Sequence, residues 1–155
     1  MKISILIGVT IFVLCGCVAV NSNADDAPIE LSPSRFAEHN LSYVSNGNFE
    51  QYTFSGEGEP AICSRGGKEE ALGLVYDWEI IDEKTLQLTA KKGVNARVMK
   101  TRLIEGYPYM SQAGEIKFSE IDDAIKVIRL QFNEIKNNRA VTTDGRVFKM
   151  VKYEL

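Results

Sequence analysis

The hydrophobic and polar positions divide this chain into two unlike parts. Residues 3–20 carry no charged side chain and are mostly aliphatic, whereas from Asp25 onward short apolar runs alternate with polar residues and are interrupted by glycine, proline and asparagine. Alternation with a period of two places one face of an extended strand in a core. The pattern therefore predicts an apolar leader followed by a β-rich domain.

Two dipeptides predict β-hairpins. Asn46-Gly47 separates the β-type runs 41–44 and 49–54, and Asp144-Gly145 separates two further runs near the C-terminus. Asn-Gly and Asp-Gly tolerate the positive φ angles of the tight turns that join antiparallel strands. We expect a hairpin at each dipeptide.

The clearest strand pair surrounds the single tryptophan. Tyr76 and Trp78 alternate with more polar residues, as do Leu86 and Leu88 after a polar turn at 82–84. This alternation is typical of half-buried strands.

Other segments give weaker signals. Residues 61–63 can start a strand, 68–74 are ambiguous between a helical turn and a loop, and 96–104 read as a strand. Residues 105–114 contain two glycines and a proline, so we expect a loop there.

Helical signals are few. Ser32 as cap and Pro33 at the first helical position predict one or two turns over residues 34–40, with Phe36 as the buried contact. Residues 116–136 are ambiguous, because their apolar positions fit a helical stripe and also alternate.

The segment 116–136 is rich in β-branched residues, which favour strands. We expect a strand over about 124–134 and a helical turn over 119–122, and a helix over the whole segment is the alternative.

Together these elements predict a mainly β domain, an antiparallel sheet or small barrel of about eight short strands with one or two short helices. The segments 36–44, 51–58 and 76–88 resemble small lipocalin-like domains of bacterial envelope proteins, although the Gly-x-Trp of classical lipocalins is absent near the start. The length of 155 residues suits one such domain, which we place at 34–155.

The leader has the layout of an export signal, with Lys2 before the apolar run. Leu14-Cys15-Gly16-Cys17 resembles the lipobox of bacterial lipoproteins. This resemblance implies a signal peptide at 1–16, acyl chains on Cys17, and a polar tether that continues to residue 33. It also implies the periplasmic side of the outer membrane, because Val18 stands where an aspartate would retain the protein at the inner membrane.

Two other interpretations of the leader stay open. Cleavage after Ala24, at the small-x-small sequence Ser22-Asn23-Ala24, would release a soluble periplasmic or secreted domain. Alternatively, residues 3–20 just reach the length of a membrane-spanning helix.

Composition argues against several classes of function. The net charge is −3 and no basic run is present, so we expect no nucleic-acid partner. His39 is the only histidine, and no cluster with metal-ligand spacing or cofactor motif accompanies it. Removal of the signal before a lipidated Cys17 would leave Cys63 as the only free thiol, which we expect to be buried.

We therefore predict a membrane-tethered, non-enzymatic protein that binds a protein partner or a small apolar ligand. Four aromatic residues are candidates for lining a ligand cavity: Phe54, Tyr76, Trp78 and Phe132. Tyr107 and Tyr109 are candidate partner contacts, because loop tyrosines combine an apolar body with a polar tip.

The alternative function is a small envelope hydrolase. Asp77 and Glu79 could serve as an acid/base pair, since carboxyl groups two residues apart on a strand are about 7 Å from each other. His39 and Cys63 could instead form a nucleophilic dyad.

Overall fold

The computed structural model describes residues 29–105, 107–136 and 138–153. The predicted signal, Cys17 and the tether as far as residue 28 lie outside these residues. Within the described ranges, no helix has both the length and the apolar character needed to cross a bilayer.

The described chain forms ten β-strands, two short α-helices and a 3₁₀ turn. In chain order they are α1 (Pro33–Phe36), β1 (His39–Ser45), β2 (Asn48–Phe54), β3 (Ala61–Gly66), β4 (Glu70–Asp82), β5 (Thr85–Ala90), β6 (Ala96–Ile104), β7 (Tyr107–Ile116), the 3₁₀ turn Phe118–Glu120, α2 (Asp123–Lys126), β8 (Val127–Lys136), β9 (Arg139–Thr142) and β10 (Val147–Lys152).

Eight of these strands close into an antiparallel barrel. Around the ring they run β1-β2-β3-β4-β5-β8-β9-β10, and β10 pairs back onto β1. Each strand therefore neighbours the strand before and after it in the chain, apart from the inserted β6–β7 hairpin. This confirms the predicted small barrel of lipocalin-like type.

The β6–β7 hairpin lies outside the ring. It joins the sheet through β4, whose residues Glu70–Gly73 pair with Arg97–Lys100 of β6. The 13 residues of β4 thus serve three neighbours, because its first part pairs with β3 and β6 and its last part pairs with β5.

Both hairpins predicted from turn dipeptides are confirmed. Asn46 and Gly47 have φ angles of 52° and 79°, and Ser45 pairs with Asn48 across the turn. Gly145 has a φ angle of 85° between β9 and β10. Positive φ is what the twist of a two-residue hairpin loop requires.

The ambiguous segment is mainly a strand, as preferred from the sequence. β8 starts at Val127, pairs with β5 and β9, and buries Ile128, Leu130 and Phe132 in alternation. The 3₁₀ turn Phe118–Glu120 overlaps the helical turn expected at 119–122. The α-helical turn α2 follows it at Asp123–Lys126, where the Asp122 side chain accepts a hydrogen bond from the Ala124 amide.

Two local expectations are wrong. Residues 107–116 form β7 rather than a loop, since an edge strand tolerates Pro108. Residues from Glu70 belong to β4, where pairing on both sides outweighs weak local propensity. The first helix is the single turn Pro33–Phe36, the shorter of the two expected lengths, and β1 begins at His39.

The short helix α1 places one aromatic ring in the barrel core. Phe36 is fully buried, as expected, and its ring centroid lies 5.5 Å from that of Phe54, 5.7 Å from Phe132 and 6.3 Å from Trp78. These separations are typical of favourable aromatic pairs. Phe36 therefore fills the space between three barrel strands.

We expect Phe36→Ala to lower the free energy of unfolding by about 3–5 kcal/mol, because it removes a fully buried ring and leaves a cavity. Denaturant unfolding measures this loss. Val147→Ala, at a side chain 51% exposed on β10, is the control and should change stability little. Equal effects of the two substitutions would contradict the role given to Phe36.

Candidate functional site

The four predicted cavity-lining aromatics lie together in the core. Phe54, Tyr76 and Phe132 are fully buried and Trp78 is half-buried. The Tyr76 hydroxyl donates to the Ile125 carbonyl at 2.6 Å, and the Trp78 indole N–H donates to the Glu59 carbonyl at 2.8 Å. Phe54, Trp78 and Phe132 pack around Phe36, and the cavities described below are lined by residues other than the four predicted ones.

The opposite end of the barrel interior is charged. Glu50, Tyr52 and Phe54 share the inward face of β2, and strand register places Arg65 of β3 beside Glu50. One Glu50 oxygen accepts from Arg65 Nη2, and the other accepts from Arg146 Nη1 at 2.5 Å and from the Tyr52 hydroxyl at 3.1 Å. We call Glu50, Tyr52, Arg65 and Arg146 the Glu50 cluster.

The surroundings fix the charges of this cluster. Burial alone would lower the pKa of Arg65, but the hydrogen bond and charge of Glu50 outweigh burial, so the pKa lies above its usual value. Burial is also the main reason that the pKa of the Tyr52 hydroxyl is raised. Arg146 also donates to Asp144, which is not part of the cluster. This hydrogen bond is the main reason that the pKa of Asp144 is lowered to about 2.

A cavity of about 440 Å³ opens beside the Glu50 cluster, which we call the mouth cavity. Its lining combines two aromatic rings, two cluster members and the turn backbone: Tyr43, Asn48, Phe49, Glu50, Arg65, Gly66 and Gly67. The cavity thus combines aromatic and charged lining residues, a combination typical of small-molecule sites.

A second feature is the outer part of the β6–β7 hairpin, from Lys100 to Ser111, which we call the arm. Thr101 fixes its base, since its amide donates to the Glu69 carbonyl at 2.9 Å and its hydroxyl donates to the Gly67 carbonyl at 2.5 Å. Beyond Thr101, β6 has β7 as its only partner strand among the described residues. The arm therefore extends past the start of β4.

An open groove of about 920 Å³ runs along the arm. Its lining mixes charged, polar and apolar side chains: Glu69, Glu70, Lys100, Thr101, Arg102, Ile104, Tyr109, Met110 and Ser111. Ile104 is 44% exposed and Tyr109 is 61% exposed. Tyr109, which was predicted to contact a partner, therefore presents its ring to solvent. The structure does not describe the side chain of Tyr107, the other predicted contact.

The carboxylates Asp77 and Glu79 point outward from β4 and are exposed. Asp77 lies 3.8 Å from Lys91 Nζ, and Glu79 accepts from the Gln87 amide at 3.1 Å. Gln87 in turn accepts from Arg129 at 2.8 Å. These side chains form polar surface contacts across β4, β5 and β8.

The structure does not bring His39 and Cys63 together. His39 pairs with Phe54 while Cys63 pairs with Tyr52, so the two residues are offset along strands that have β2 between them. His39 Nδ1 lies 2.7 Å from the Ala37 carbonyl oxygen. Cys63 is buried, as expected, and burial raises its pKa to about 12, which disfavours the thiolate.

The described residues contain no group of three or more histidine, cysteine or acidic side chains placed to hold a metal ion.

The Glu50 cluster was missed by the sequence analysis. The one local signal is that Glu50 stands two residues before Tyr52 and four before Phe54 on β2. This spacing places its carboxylate on the same inward face as the two aromatic rings. Arg146 is 96 residues away from Glu50, so their contact exists only in the closed barrel.

We expect Glu50→Gln to lower the free energy of unfolding by about 2–3 kcal/mol, because it leaves two partly buried guanidinium groups without their shared counterion. Denaturant unfolding at neutral pH tests this. Glu57→Gln, at an exposed position in the β2–β3 loop, is the matched control. Unchanged stability of the Glu50 variant would show that the cluster is energetically neutral.

No protein-family model, curated protein sequence or solved structure matches this chain significantly. The lipocalin-like character of the fold therefore rests on its strand order and closure. The mouth cavity and the arm are its two candidate sites.

Proposed function

We propose that this protein is a membrane-tethered, non-enzymatic envelope protein that binds a protein partner through the arm. The observation that carries the proposal is the exposure of Ile104 and Tyr109 beside an open groove of about 920 Å³. Partly apolar surfaces with an exposed tyrosine are common at protein interfaces, where tyrosine often contributes much of the binding energy.

The packing of the barrel interior argues for a binding site on the outside of the barrel. Phe36 occupies the space between Phe54, Trp78 and Phe132, so a ligand at these four predicted lining residues would first have to displace a packed ring. The groove along the arm needs no such rearrangement. A binding surface on the arm is therefore the simpler arrangement.

The edge of the sheet adds a second means of recognition. β7 pairs only with β6 among the described residues, and residues 107–114 contain no charged side chain. Exposed edge strands commonly carry charges that prevent pairing with other chains. Without them, the backbone of β7 is available to an extended segment of a partner.

A lipid anchor at Cys17 would suit this role. The polar stretch between Cys17 and Ile29 would reach about 20 Å as a flexible coil, which keeps the domain close to the membrane surface. Such confinement raises the effective concentration of a partner in the same membrane. Val18 favours the outer membrane, as the lipoprotein resemblance implies.

The non-enzymatic assignment is supported by the placement of the alternative catalytic residues. Asp77 and Glu79 make surface contacts, and the Cys63 thiol is buried with a raised pKa. Neither pair lines the mouth cavity or the groove.

The arm is tested by photo-crosslinking in intact envelopes. A benzophenone amino acid at position 109 should give a discrete adduct with one protein, whereas the same group at exposed Thr89 on the barrel wall should not. Combining Ile104→Ser with a crosslinker at 109 should reduce the adduct severalfold, because it removes apolar contact area. The control Val151→Ser, also exposed and apolar, should leave the adduct unchanged. Equal adducts at 109 and 89 would refute the arm as the binding surface.

The anchor is tested by metabolic labelling of the full chain with radioactive palmitate in a bacterial host. We expect label on the protein, loss of the label in Cys17→Ser, and its retention in Cys63→Ser. An unlabelled protein whose mature chain begins after Ala24 would establish the soluble alternative instead.

A further inference from the structure

Arg65 and Arg146 both bind Glu50, but they differ in how many donors they use. A guanidinium group has five N–H donors. Arg146 donates from Nε and Nη2 to Asp144 and from Nη1 to Glu50. Arg65 donates from Nη2 to Glu50 and has no other acceptor in the described part of the chain. Arg65 therefore keeps most of its donors available in a half-buried setting.

These available donors belong to a side chain that lines the mouth cavity. The Arg65 side chain is 30% exposed. Guanidinium donors that no protein acceptor meets can bind the oxygen atoms of a ligand that enters beside them. Glu50 divides its carboxylate between Arg65 and Arg146, and only Arg146 has a second carboxylate partner, Asp144, among the described residues.

The remaining walls of the mouth cavity suit a flat apolar body. Tyr43 is half-buried and pairs with Glu50 across β1 and β2, so its ring lies on the same face as the Glu50 carboxylate. Gly66 and Gly67 contribute bare backbone to the lining. A Cβ atom at Gly66 would overlap the Glu70 carbonyl and the Ala71 backbone, so the close approach of β3 and β4 requires glycine at this position. A volume of about 440 Å³ is in the range of small-molecule sites.

We infer that the mouth cavity is a binding site for a small aromatic carboxylate. The carboxylate would accept two parallel hydrogen bonds from the free edge of the Arg65 guanidinium, the geometry in which arginine recognises carboxylates. The ring would lie against Tyr43, where an offset or edge contact with an aromatic side chain is favourable. This site lies on the barrel and does not depend on a partner at the arm.

Benzoate is the probe, and its neutral analogue benzamide is the matched control ligand. Titration of the ¹⁵N-labelled full chain with benzoate should give saturable shifts of the Gly66 and Gly67 amide signals. Benzamide keeps the ring but lacks the charge, so it should bind at least about tenfold more weakly. The absence of saturable shifts, equal binding of the two compounds, or shifts centred on residues away from the mouth cavity would overturn the assignment.

Variants test the role of Arg65. Arg65→Lys keeps a positive charge for Glu50 but lacks the planar fork, so benzoate affinity should fall at least about tenfold. Arg97→Gln, which removes an exposed arginine from β6, should bind benzoate like the unmodified protein. Unchanged affinity in the folded lysine variant would refute the site. If that variant does not fold, the comparison of benzoate with benzamide on the unmodified chain decides the question.

Discussion

The packing of Phe36 between Phe54, Trp78 and Phe132 is the contact on which the rest of the molecule depends. These rings come from α1, β2, β4 and β8, so one side chain links widely separated parts of the barrel. Large aromatic rings bury much apolar area and contribute strongly to core stability. A barrel filled in this way leaves its edges, turns and inserted hairpin as the surfaces available for binding.

The inward face of β2 explains how one barrel has an apolar end and a charged end. Phe54 belongs to the aromatic packing, Tyr52 lies in the middle, and Glu50 meets two arginines. A charge on an inward face is tolerated only when it is paired and hydrogen-bonded. The Glu50 cluster meets this condition. At this end of the barrel, Arg65 has guanidinium donors that no acceptor among the described residues meets.

The inserted β6–β7 hairpin gives the protein a surface that a plain eight-stranded ring would lack. It can attach because β4 is long enough to pair with β3 and β6 at one end and with β5 at the other. Thr101 fixes the base of the arm through the carbonyls of Glu69 and Gly67, and Gly67 also lines the mouth cavity. The two candidate sites therefore meet at the β3–β4 turn.

The sequence by itself determined the features that depend on neighbouring residues. Positive φ at Gly47 and Gly145 made the hairpins, alternation around Trp78 made the strands, and the placement of Phe36 was clear from the apolar pattern. Tertiary structure decided the secondary structure of segments in which local propensity did not favour one element. Residues 127–136 are a strand because β5 and β9 pair with them, and residues 107–116 are a strand because β6 does. The Glu50 cluster required closure of the barrel, because Arg65 and Arg146 lie 15 and 96 residues from Glu50 in the chain. Strand pairing brings Arg65 beside Glu50, and the closed ring brings the β9–β10 turn, which carries Arg146, to the same place.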